Sequence, residues 1–200
     1  MNDSTVTREE KKKKCILFVC CGNRERSLIA ESLLQQGLRD KYPRMMDRVT
    51  IGSAGIFPRS YLEFAREHGV IFEYPYFGKK PNLCALEYLA QKGIDVTSYR
   101  SRELSKELVM EADLILALDR IIGGEILHFY PEASERVVTF KSFAFGADYP
   151  DLDIGNTMNL PDIDDKTGDW IWPDDYPADY ISDIEQCLSL SLERLVDFIT

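Results

Sequence analysis

The sequence predicts an α/β fold, a single domain around a largely parallel sheet. Three observations predict it. Short apolar runs without polar alternation recur along the chain, as strands buried on both faces require. Stretches with apolar residues every three or four positions separate them. The two kinds of stretch alternate, which is the order of βαβ units. The chain has 200 residues, 44% hydrophobic and 29% charged, enough to bury a core without disulfides or metals.

The elements follow in order. Residues 1–14 are polar, with four consecutive lysines, Lys11 to Lys14, and read as a flexible tail. The run "CILFVC", residues 15–20, is a first buried strand. Residues 27–41 carry Ile29, Leu33, Leu34 and Leu38 at helical spacing. "VTIGSAG", residues 49–55, is a second strand ending in small residues. "LCALEYLAQKG", residues 83–93, is a helix stopped by a glycine, and residues 103–112 form another for which Ser101 is the expected cap. "DLILALD", residues 113–119, is a third strand, residues 121–130 a helix closed by Pro131, and "RVVTF", residues 136–140, a fourth strand. Ile181, Ile184, Leu188, Leu192, Leu195 and Ile199 place one stripe along a closing helix over residues 179–199. Two stretches read as insertions in the domain formed by residues 15–200: an aromatic one near residues 57–80 and an acidic one near residues 145–177.

The net charge is -10, and it is local. Residues 148–185 contain twelve Asp or Glu against the single Lys166. Such a balance argues against nucleic acid as a partner, which wants a basic face. The five cysteines, Cys15, Cys20, Cys21, Cys84 and Cys187, are odd in number and irregularly spaced, with no secretory signal before them. The apolar run after the tail is too short for a signal core or a membrane span. A reducing cytoplasm is the expected setting, with no membrane partner. No CxxC pair or Cys/His cluster suggests a metal.

The chemistry concentrates in "CCGNRERS", residues 20–27, between the first strand and the first helix. Helix-start amides have no internal partner and favour negative charge, and consecutive amides in a tight turn form an anion nest. Gly22 and Asn23 tolerate left-handed backbone angles. Arg26 carries a planar fork that grips two oxygens of a phosphate. Cys20 lies six residues before it, facing the same positive hollow, a setting that favours the nucleophilic thiolate. The geometry suits in-line attack on phosphorus while the amides of residues 21–27 and Arg26 hold the equatorial oxygens. Without the anion nest, the same residues would be a strand-end cysteine and a surface arginine.

"FVCCGNRERSLIAESLL" resembles the low-molecular-weight protein tyrosine phosphatase family, whose signature is V-C-x-G-N-x-C-R-S-P-x-A-E. Val19, Cys20, Gly22, Asn23, Arg26, Ser27, Ala30 and Glu31 match it. "SAG" (53–55), "KGIDVTSYRSREL" (92–104), "LILALDR" (114–120) and "YPEASERVVTF" (130–140) continue the likeness, closest to the bacterial branch that includes protein-arginine phosphatases. The resemblance implies a four-stranded parallel sheet with helices on both faces, a phosphocysteine on Cys20, phosphate binding by Arg26, and no metal or cofactor. Asn23, Ser27 and Ser53 would hold loop and thiolate by hydrogen bonds. The implied substrate is a phosphorylated protein, above all one bearing phosphotyrosine, or a small phosphomonoester.

The match breaks at informative places. Glu25 stands where the family commonly has a second cysteine; a carboxylate there repels phosphate unless it points away or pairs with a base. Cys21 reads as a packing residue. Arg24 stands where tyrosine phosphatases usually carry an aliphatic side chain and arginine phosphatases a threonine. A cation at the pocket wall disfavours phosphoarginine, and the alternative is that Arg24 faces solvent or pairs with Glu25. Leu28 replaces a proline, and Tyr99 a histidine of the supporting network, where its hydroxyl can substitute as donor. The family's D-P-[YF] motif, source of the general acid, is missing. Asp174 in "PDDY" is its nearest echo, and Asp162 in "NLPDI" better fits the spacing from the fourth strand. Two alternatives share the scaffold: a phosphate-binding or regulatory module that has lost catalysis, and an arsenate reductase, which would need a relay of further cysteines near Cys84.

Overall fold

The computed structural model describes residues 13–67, 77–155, 162–163, 170–171 and 176–200. Strands β1 (Lys14–Cys20), β2 (Val49–Gly55), β3 (Leu114–Ala117) and β4 (Val137–Thr139) form one parallel sheet in the order β2-β1-β3-β4. Around it lie α1 (Arg26–Lys41), α2 (Arg59–Glu67), α3 (Leu83–Gln91), α4 (Lys106–Glu111), α5 (Arg120–Phe129), α6 (Phe140–Phe145) and α7 (Tyr176–Ile199). A short antiparallel pair, β5 (Asp162–Ile163) with β6 (Trp170–Ile171), stands apart from the sheet.

β1 lies between two neighbours, so both of its faces are covered and its apolar run needs no alternation. The pleat still sorts the side chains. Ile16, Phe18 and Cys20 join one core with residues of α1, α3, α6 and α7, while Leu17 and Val19 join a second core with residues of α4 and α5. Each such side chain, fully buried, stabilises the fold by about 1.5–3 kcal/mol. This is the expected four-stranded parallel sheet with helices on both faces.

Register sets the site. Cys20 lies beside Gly55, and Val19 lies between Ala54 and Ala117. The C-terminal ends of β1, β2 and β3 therefore open on one edge, the edge at which parallel sheets bind ligands.

Several elements differ from expectation. The helix placed over 103–112 starts only at Lys106, and its cap is Ser105, whose Oγ accepts from Leu108 N at 3.4 Å. Residues 102–104 are held extended instead, because Gly55 N donates to Arg102 O at 2.9 Å and Leu104 N to Gly55 O at 2.7 Å. Ser101 is buried and its Oγ accepts from Lys79 N at 3.1 Å. The aromatic stretch after residue 57 contains α2. β4 ends at Thr139, whose side chain caps α6, a helix that the sequence pattern concealed inside "TFKSFAF". α7 starts at Tyr176, three residues before the expected start at residue 179. Among the described residues no helix is long and apolar enough to cross a membrane.

Candidate active site

The chain leaves β1 at Cys20 and enters α1 at Arg26, so residues 21–25 form a tight loop over the end of the sheet. Asn23 makes that turn possible. It is the one described non-glycine residue with positive φ, at 53°, a conformation asparagine tolerates better than most. Gly55 makes room for the loop: a Cβ there would stand 2.6 Å from Cys21 O and 3.0 Å from Asn23 N.

The side chain of Asn23 is buried and fully used. Nδ2 donates to Ser27 Oγ at 3.0 Å and to Ser53 Oγ at 2.9 Å. Oδ1 accepts from Tyr99 Oη at 2.6 Å and from Arg102 N at 2.9 Å. Ser53 Oγ in turn donates to Glu31 Oε2 at 2.5 Å and lies 3.0 Å from Tyr99 Oη. Burial pushes the Glu31 carboxyl above its ordinary value, against the opposing pull of the Ser53 hydrogen bond and the Arg102 charge. Burial likewise pushes the Tyr99 phenol up to about 12, so it stays a neutral donor. The Tyr99 hydroxyl thus bonds to Asn23 and lies against Ser53, and Glu31 and Arg102 extend this network further than the sequence indicated.

Cys20 is 3% exposed. Its Sγ lies 3.0 Å from Ser27 Oγ and accepts from Asn23 N at 3.3 Å. These contacts place a serine hydroxyl and a loop amide against the sulfur.

Arg26, although in the first turn of α1, is held by two distant elements. Nη1 donates to Asp119 Oδ2 at 3.0 Å and to Ile154 O at 3.1 Å. Asp119 is 2% exposed and is also the N-cap of α5, its Oδ1 accepting from Ile122 N at 2.7 Å. One carboxylate therefore satisfies a helix end and orients the guanidinium. Asp119 was not among the expected site residues. The available signal was its place at the end of "LILALD", a polar residue at the same sheet edge as Cys20.

Glu25 turns out of the loop. Its Oε1 accepts from Asn82 Nδ2 and from Cys84 Sγ, the latter at 3.3 Å. Cys84 Sγ also lies 3.2 Å from Tyr180 Oη. Burial, then the Glu25 charge, push the Cys84 thiol up to about 11. Arg24 does not pair with Glu25: its Nε donates to the Lys80 carbonyl at 2.9 Å, and Asn82 N donates to Arg24 O at 3.1 Å. Cys21 packs against the second core, and burial pushes its thiol strongly up. Gly22 is half-buried in the loop.

Asp174 lies outside the described residues, and Asp162 is placed only as a backbone position in β5. The described acidic segment nearest Arg26 is residues 151–155, through the Ile154 carbonyl. Within it Asp153 is engaged by Arg120 N at 2.7 Å and Arg120 Nη2 at 2.9 Å, while Asp151 is 63% exposed at its side chain. Among the described residues no group of three or more His, Cys, Asp or Glu is arranged to hold a metal ion.

Known proteins resemble this chain in sequence and fold. Residues 15–161 match the model of the family described as low molecular weight phosphotyrosine protein phosphatase. A probable low molecular weight protein-tyrosine-phosphatase, EpsP, of Ralstonia nicotianae is 35% identical over 59% of this chain, a match that spans 64% of that relative's length. A protein-arginine-phosphatase of Geobacillus stearothermophilus is 30% identical over 66% of this chain and 73% of its own. The solved structure of the YwlE arginine phosphatase from Geobacillus stearothermophilus superposes with a TM-score of 0.63 at 26% identity, covering 92% of this chain and 94% of that one. The chain belongs to the low molecular weight phosphotyrosine protein phosphatase family.

Proposed function

We propose that the chain hydrolyses phosphomonoesters in a reducing, cytoplasmic setting, acting on phosphotyrosine-bearing protein through a cysteinyl-phosphate on Cys20. The observation that carries this reading is the bracing of both ends of one loop: Cys20 Sγ against Ser27 Oγ and Asn23 N, and Arg26 against Asp119. In the first step the Cys20 thiolate attacks phosphorus and the ester P–O bond breaks. Arg26 and the amides of residues 21–27 hold the three equatorial oxygens. An aspartate of the acidic stretch gives its proton to the departing oxygen. In the second step the same carboxylate takes a proton from water, whose oxygen attacks phosphorus. The S–P bond breaks, releasing inorganic phosphate and restoring the thiolate.

Asp174 and Asp162 are the proton donors proposed from sequence; Asp151, on the segment that meets Arg26, is instead paired with Lys141. Replacing the true donor by Asn slows hydrolysis of phenyl phosphate far more than of p-nitrophenyl phosphate, whose leaving group needs no proton.

Arg24 supports phosphotyrosine over phosphoarginine. Its backbone and side chain are tied to residues 80 and 82, so a cation stands fixed beside the pocket, where a substrate guanidinium is repelled. The outward pairing of Glu25 removes the main objection to catalysis and weakens the reading of an inert phosphate-binding module. The arsenate reductase reading is weakened too, since burial and then the Glu25 charge keep Cys84 a thiol. Cys20→Ser is the test: it should abolish hydrolysis of p-nitrophenyl phosphate while phosphate binding persists. Unchanged turnover in that variant ends the proposal.

A further inference from the structure

Lys141 stands out among the charged residues away from the loop. It occupies the second position of α6, and its side chain is only 5% exposed. Its Nζ lies 2.8 Å from Asp151 Oδ2 and 2.7 Å from Asp183 Oδ2. Burial works to lower its pKa, yet the two carboxylates outweigh burial and the net shift is upward. An ammonium is costly to desolvate, and one held this deep between two carboxylates fixes the elements that carry them.

Those elements are α7, through Asp183, and the segment 151–155, which is tied at every step. Asp151 Oδ1 accepts from Asp153 N at 3.2 Å. Asp183 Oδ2 accepts from Gly155 N at 3.4 Å. Ile154 N donates to Leu118 O at 2.8 Å, and Ile154 O accepts from Arg26 Nη1 at 3.1 Å. A continuous path thus runs from the ammonium to the guanidinium: Lys141, Asp151, the backbone of residues 153–154, Arg26.

We propose that Lys141 is a positioning residue for phosphate binding: it pins residues 151–155 so that the Ile154 carbonyl fixes the Arg26 guanidinium. The proposal rests on Arg26 as the phosphate ligand of the function proposed above. The phosphate grip accordingly depends on an ion pair built from α6 and α7, neither of which contributes a residue to the loop.

The experiment measures three quantities on the full chain: affinity for inorganic phosphate by calorimetry, kcat and KM for p-nitrophenyl phosphate, and thermal unfolding. Lys141→Met should weaken phosphate binding and lower kcat/KM roughly tenfold to a hundredfold, the scale expected when a gripping group is misplaced. That variant leaves two carboxylates without their cation, so Lys141→Met/Asp183→Asn removes one of them to recover stability. Weak phosphate binding that persists in the recovered double variant supports positioning, and wild-type affinity there overturns it. Asp151→Ala cuts the path at an exposed side chain with little cost in stability; it should weaken phosphate binding several-fold, and unchanged affinity also overturns the proposal. The Arg26 Nε–Hε resonance reads the guanidinium without any ligand. It should shift in Asp151→Ala, and superposition on the wild-type signal counts against Lys141 even if the chain turns over no ester. Failure of the wild-type chain to hydrolyse the ester, with that shift present, instead rejects the catalytic reading alone.

Discussion

Two segments hold Arg26 in opposite ways. The loop of residues 20–27 carries its chemistry in neighbours: within eight positions it contains Cys20, Asn23, Arg26 and Ser27, and hydrogen bonds from Asn23 tie it to Ser53 and Tyr99, 30 and 76 positions away. The segment of residues 151–155 is built from strangers. It contributes a bare carbonyl, and its own place is set by Leu118, Arg120, Lys141 and Asp183. The loop is knit by hydrogen bonds around Asn23, with the half-buried Glu31 at their far end, whereas the segment is held largely by ion pairs. The loop therefore answers to donors and acceptors removed one at a time, and the segment to charges removed in pairs.

Asp119 sits where the two systems meet, and its loss carries the largest effect. Asp119→Ala leaves the buried Arg26 guanidinium without its carboxylate and removes the cap of α5. The expected cost is about 3–5 kcal/mol, as for other buried pairs broken on one side. Denaturant midpoints and phosphate affinity should fall together. Wild-type phosphate affinity in a folded Asp119→Ala chain would show that Asp119 is not needed to orient Arg26.

Tyr99→Phe acts on the loop alone. Asn23 Oδ1 keeps its bond from Arg102 N and loses the one from the phenol. About 1 kcal/mol of stability should go. Because the phenol reaches the sulfur only through Asn23, turnover should drop a few-fold with Lys141-dependent properties untouched. A Tyr99→Phe change that altered the Arg26 resonance as Asp151→Ala does would erase the distinction between the two systems.

Glu31 gives the smallest effect and a pH signature. Its pKa is raised above 4.5 by burial, so the folded state favours the protonated carboxyl. The corresponding stability is present below the unfolded value and is lost as pH rises through the higher folded value. Glu31→Gln does not titrate, so its stability relative to the wild type should improve as pH climbs from 4.5 through that window. Urea midpoints across the range measure it, and a difference independent of pH would place the Glu31 carboxyl in a more polar setting than its burial implies.

The loop was legible in the sequence because its parts are contiguous: a buried run, a Gly-Asn turn, a cysteine and an arginine six residues apart. The substitutions at Glu25 and Arg24 were visible but not their consequences. The direction of Glu25 is decided by Asn82 and Cys84 at the start of α3, and that of Arg24 by the Lys80 carbonyl. The capping serine of α4 was misplaced by four residues, because the extended bridge of residues 102–104 to Gly55 outweighs local helix preference. α6 was hidden since "TFKSFAF" is as apolar as the strand before it, and its one charged residue, Lys141, is buried.

By itself the sequence determined the parallel sheet, the two-sided core and the loop that follows β1, since apolar periodicity and backbone preferences act between near neighbours. Only the tertiary structure decided what braces Arg26, where Glu25 points and why a lysine lies under the acidic segment. Those outcomes depend on groups distant in the chain, 57 positions apart for Glu25 and Asn82 and 128 for Arg26 and the Ile154 carbonyl, and burial, which sets the strength of such contacts, exists only once the layers have packed.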